Sequence, residues 1–216
     1  MALDVDSTTV EGVWQRHVPA GVDPVHRPAP PGDNRWQRGH VVDALYLADS
    51  LACAWAEWYR HLAEAAMPPN IALPGDLWCY QVAPLQVADL SDVTRLARVG
   101  LPLSRPGRRS WPAFQAVGEE LQDEGWRGLL APSAARPASH VLAVFLSGTT
   151  LPPQLVTAGC TGVAQPPAPP ETEPPRFYGR LGGYEPGMSQ RFATMPVVVS
   201  FQAPERSLLP RNPVQL

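Results

Sequence analysis

Proline is the residue that most restricts what this chain can fold into, because its fixed φ and missing amide stop helices and interrupt sheet ladders. There are 27 prolines among 216 residues, and they are unevenly placed. Pro19, Pro24, Pro28, Pro30 and Pro31 rule out a long helix between Val13 and Gly39 and leave a short strand over Val13–Val18 followed by a long ordered loop. Beyond Thr150, Pro-Pro pairs accumulate, and Pro166–Pro175 reads as an extended linker of polyproline type. We expect a core over 1–150 and, over 151–216, a proline-rich linker with a C-terminal extension whose one credible strand is Met195–Phe201.

Between the prolines the periodicity can be read. Val41–Leu47 suits a strand, and Asp49 or Ser50 can cap the helix after it. That helix is expected over Ser50–Ala66, ending before Pro68 and Pro69, with Leu51, Ala54, Trp55, Trp58, Leu62 and Ala65 as its apolar stripe. Glu57 falls beside the stripe, on the flank carrying Cys53, Arg60 and Glu64. Leu77–Leu90 reads as two short strands broken near Pro84, Asp89–Ala97 and Ser110–Glu124 as helices, and Val141–Leu146 as a buried strand. Helices and strands interspersed without a βαβ repeat point to an α+β fold rather than a doubly wound sheet.

Composition narrows the function. A net charge of -3 and a pI near 5.9 give no global basic field for nucleic acid, so direct nucleic-acid binding is not expected. All 17 basic residues are arginine, which a GC-rich coding bias explains as well as any chemical need. Cys53, Cys79 and Cys160 lack C-x-x-C spacing and fit neither a disulfide framework nor a zinc site. His17, His26, His40, His61 and His140 show no metal-binding spacing, so no metal or cofactor is expected. The chain opens without a secretory signal, and its longest apolar run, Val141–Leu146, cannot span a bilayer. A cytoplasmic protein without membrane attachment is the expectation.

Five polar residues in apolar or aromatic surroundings stand out: Arg16, Arg35, Tyr46, Glu57 and Ser133. Arg35 to Tyr46 and Tyr46 to Glu57 are each eleven residues. Guanidinium groups grip phosphates bidentately, a phenol can stack on a ring, and carboxylate and hydroxyl suit a sugar. Each also has a plainer reading. Glu57 beside Arg60 and His61 could be a solvated helix residue, Arg35 a cover for Trp36, Tyr46 a core tyrosine, Arg16 an edge-strand arginine and Ser133 a turn residue. His17 and His61 are noted as neighbours of the candidates. Walker, dinucleotide-binding and nucleophile-elbow glycine motifs do not occur.

Taken together, Trp14–Arg16, Asn34–Gly39, Ala44–Ala48, Ala54–Glu57 and Gly128–Ser133 resemble, in order, the pattern of the RES domain family, over residues 12–147. Asn34 and Gln37 replace that family's usual Gly and Asn around the loop arginine, and Ala131 replaces a frequent Tyr. The resemblance implies an ADP-ribosyltransferase-like mixed sheet with flanking helices. It also implies a bacterial toxin that degrades NAD+, as glycohydrolase or phosphorylase, and is neutralised by an Xre-type antitoxin, with a homodimer or toxin–antitoxin hetero-oligomer both compatible. NAD+ would be substrate rather than cofactor. Glu57, Arg35 and Ser133 become the implied catalytic residues, and Arg16, Arg35, Tyr46 and Ser133 the implied NAD+ ligands. A protein ADP-ribosyltransferase or a catalytically inactive binding partner are the alternatives.

Overall fold

The computed structural model describes residues 2–28, 30–39, 41–147 and 151–168, all within one compact unit, Met1–Glu185. The expected Met195–Phe201 strand and most of the expected polyproline linker lie outside the described residues. Six strands form one mixed sheet: β1 (Asp6–Pro19), β2 (Ala44–Ala48), β3 (Gly75–Asp89), β4 (Gly128–Pro132), β5 (His140–Phe145) and β6 (Leu155–Val163). Three α-helices accompany them: α1 (Leu51–Glu64), α2 (Val93–Arg98) and α3 (Trp111–Asp123). The fold is therefore α+β, as expected.

The strand order is β1-β2-β5-β4-β3-β6, and β1 pairs with β3 as well. The pairing thus runs round a closed circuit of five strands, with β6 attached along β3. Only the β3–β4 contact is parallel; the others are antiparallel. Because side chains alternate across a strand, Leu45 and Leu47 of β2 and Leu142 and Val144 of β5 point into the circuit, where they meet Val10, Trp14, Tyr80, Val82 and Val87. The opposite faces of the same strands are buried too. Ala44, Ala143 and Phe145 pack with Phe114, Val117 and Leu121 of α3, and Ala48 packs with Trp55, Trp58 and Leu62 of α1.

Several elements depart from the sequence reading. β3 is one continuous strand, not two. Between Val10↔Leu85 and Gly12↔Val82 its register with β1 shifts, so that Ala83 and Pro84 oppose the single residue Glu11. Gly12 takes φ 96° there, and β6 stops pairing at Val82. A bulge beside the end of a neighbouring strand is one of the few places where a sheet tolerates proline. Asp89 ends β3 instead of starting a helix. It is Asp92 that caps α2, accepting from the Arg95 amide at 2.9 Å. β4 lies in a stretch to which sequence periodicity gave no element, and β6 carries the sheet past residue 150, where the core was expected to stop. Ser50 caps α1 by accepting from the Cys53 amide at 3.2 Å. No helix among the described residues is long and apolar enough to cross a membrane.

Candidate active site

A cleft of about 290 Å³ opens where β1, β2 and α1 meet the loop before β2 and the turn after β4. Arg16, Arg35, Tyr46 and Glu57 line it, together with Gln15, His17, Asn34, Trp58, Arg60, His61, Pro132 and Ala134. The structure therefore brings together four of the five candidates from the sequence, and Ser133 lies directly behind the wall.

Glu57 sits on the flank of α1 that periodicity assigns to boundary or solvent, yet its side chain is only 20% exposed. The turn after β4 covers it. Oε1 of Glu57 accepts from the Ser133 hydroxyl at 2.6 Å, the Ala134 amide at 2.9 Å and the Ala135 amide at 3.3 Å. Oε2 accepts from Nε of Arg60 at 2.7 Å, and a carboxylate oxygen with one donor keeps a lone-pair site free. Burial alone would raise the pKa of this carboxyl. The Arg60 charge, the Ser133 hydroxyl and the Ala135 amide outweigh it and hold the pKa below the ordinary value, so Glu57 is an anion at neutral pH.

Ser133 is fully buried. Its hydroxyl gives its hydrogen to Glu57 and accepts from the amides of Ala135 at 3.2 Å and Arg136 at 2.9 Å. Through these bonds Ser133 holds the turn against Glu57.

Arg35 occupies a tight turn in which the backbones of Asn34 and Gln37 bond each other at 2.8 and 3.3 Å. Because main-chain groups close this turn, it does not depend on the side chains at the two positions that differ from the family pattern. The side-chain amide of Gln115 on α3 donates to both carbonyls, at 3.0 and 3.2 Å. Gly118 permits the approach, since a Cβ there would stand 2.3 Å from the Trp36 carbonyl oxygen. The Arg35 guanidinium lies 5.1 Å above the Phe114 ring and donates through Nη2 to the Arg105 carbonyl at 2.6 Å. Nη1 is buried with no hydrogen-bond partner. Such a nitrogen is costly to leave bare.

Arg16 borders the cleft, but its two terminal nitrogens hold the carbonyls of Pro24 and His26, the latter at 2.7 Å. These bonds fix the loop after β1. The Tyr46 hydroxyl accepts from the Trp36 amide at 3.2 Å, and burial drives its pKa up, so the phenol stays neutral. His17 is wedged between Trp55 and Trp58, each ring centroid 5.3 Å away. Burial lowers its pKa to about 4.

Arg60 and Glu64 were noted beside Glu57 in the sequence but not chosen as candidates. Their i,i+3 and i,i+4 spacing from Glu57 and from each other was the available signal, and on a helix surface that signal ordinarily marks a solvated pair. Among the described residues no group of three or more His, Cys, Asp or Glu could hold a metal ion.

Fold and cleft together define an α+β protein in which a fixed carboxylate and a buried guanidinium line one cleft within electrostatic reach of each other. The model of the RES domain matches residues 13–155, and the chain belongs to that family. A chain in the crystal structure of the M. tuberculosis MbcT-MbcA toxin-antitoxin complex has the same fold, with a TM-score of 0.60 and 24% identity over 72% of this chain and 87% of that one. No curated protein matches the sequence.

Proposed function

We propose that this protein cleaves NAD+ at the bond between nicotinamide and ribose. The observation that carries the reading is Glu57: an ionised carboxylate, held by four donors, at the wall of a cleft in a RES domain. When that bond breaks, its electron pair goes to the ring nitrogen, nicotinamide leaves neutral, and the sugar becomes an oxocarbenium-like cation. A fixed anion beside the sugar favours that state over the ground state, which is the condition for catalysis. Water, which gives up a proton to the solvent, or phosphate then attacks the sugar carbon. Because the leaving group is already activated by its positive charge, the cleft needs no strong general acid, and a neutral His17 is no obstacle.

In this scheme Arg35 binds the pyrophosphate through its guanidinium and Tyr46 supplies a ring for stacking. Ser133 and Arg60 hold Glu57. The solved neighbour is a toxin–antitoxin complex, and we extend to this chain the role of a cytoplasmic toxin restrained by an Xre-type antitoxin.

The decisive experiment incubates the purified protein with NAD+ and separates the products by chromatography. Nicotinamide should appear together with ADP-ribose or its 1-phosphate, which identifies the acceptor. Glu57→Gln should lower the rate by at least about a hundredfold while the unfolding transition stays close to wild type. An unchanged rate in that variant, or transfer of label from NAD+ to protein in place of a free product, would refute the scheme.

A further inference from the structure

Glu57 forms an ion pair with Arg60, and an isolated pair of that kind is neutral as a whole. A neutral pair stabilises a developing cation far less than a free carboxylate does, because at the distance of the sugar the two charges largely cancel. The structure contains a remedy. Arg60 also pairs, through Nη1, with Oε2 of Glu64 at 2.7 Å, one helical turn further along α1. The Glu64 side chain is 7% exposed and that of Arg60 14%, so solvent screens this group weakly. Glu57, Arg60 and Glu64 therefore form a three-charge row with a net charge of minus one.

The second oxygen of Glu64 fixes the row in place. Oε1 accepts from the Gly107 amide at 2.6 Å, where the backbone takes φ 102°. The same loop supplies, two residues earlier, the Arg105 carbonyl that holds Arg35 at 2.6 Å. One short loop thus ties down both the carboxylate wall and the guanidinium wall.

We infer that Glu64 is a positioning residue which divides the charge of Arg60 and so leaves Glu57 with a net negative charge toward the cleft. The inference rests on the role proposed for Glu57. The groups facing Glu57 are Cys53, Arg60, His61 and Glu64 from α1, Arg35 from the loop before β2, and the uncharged Ser133, Ala134 and Ala135 donors from the turn after β4.

Glu64→Gln tests it, since the amide keeps the shape and an oxygen for Gly107 while removing the charge. Two quantities are read on the full chain. The first is the titration midpoint of the Glu57 carboxyl by carbon-13 NMR. Losing a neighbouring negative charge should move it lower, whereas a merely structural loosening of Arg60 would move it higher. The second is turnover of NAD+: kcat should fall about tenfold with KM within about twofold, the pattern of a lost transition-state interaction. Glu64→Asp, which restores the charge, should recover most of kcat and bring the midpoint back.

A midpoint that rises or stays in place, or a kcat within twofold of wild type, overturns the inference. Should the wild-type protein leave NAD+ intact, the proposed activity fails, and the direction of the midpoint still decides the question for Glu64.

Discussion

His17 concentrates two constraints in one imidazole. Its ring lies between Trp55 and Trp58, and its Nε2 is buried without a partner against the backbone of Gly75, where a Cβ would stand 2.1 Å away. With a folded-state pKa of about 4 against an ordinary 6.5, the unfolded chain binds the extra proton first as pH falls. Between those two values the unfolded state therefore gains, and the folded state loses, relative stability. Urea unfolding at pH 7 and pH 5 should show this loss in the wild type and a smaller one in His17→Gln. Glu57 illustrates the limit of legibility at this scale. Helix periodicity could say that it lay off the apolar stripe, but not what would cover that flank. The covering donors, Ser133, Ala134 and Ala135, arrive from 76 to 78 residues away. A family pattern could select Glu57 and Ser133 together, yet nothing in the residues indicated that the serine would donate to the glutamate.

At the scale of elements, local rules succeeded where a signal was local. The Ser50 cap, the body of α1 and the span of α3 follow from capping residues and 3.6-residue periodicity. They failed where a partner strand decided the outcome. Pro84 reads as a break until the bulge opposite Glu11 gives it a place, and β4 is too short and apolar to announce itself without β3 and β5 on either side. The contact between α3 and the Arg35 turn is the element-level feature on which the cleft most depends. Gly118→Ala places a methyl against the Trp36 carbonyl, a backbone atom that cannot swing aside. We expect a loss of about 1–3 kcal/mol in urea unfolding, and a raised KM for NAD+ because Arg35 is displaced with its turn.

Across the whole molecule, the family match ends at residue 155, but the sheet does not. β6 pairs with β3 from Gly75↔Val163 to Val82↔Leu155. A chain cut after Ala168 keeps every described element, whereas one cut after Gln154 bares a long edge of β3. The shorter chain should unfold at lower urea and self-associate by light scattering, because an open strand edge invites pairing with another copy. The closed circuit of strands has a mechanical consequence as well. Since β1 is bonded to both β2 and β3, the wall bearing Arg16, His17 and Tyr46 has no free edge along which to swing. The parts of the cleft wall that lie outside the sheet are α1, the turn carrying Arg35 and the turn after β4, so any widening of the cleft has to come from these.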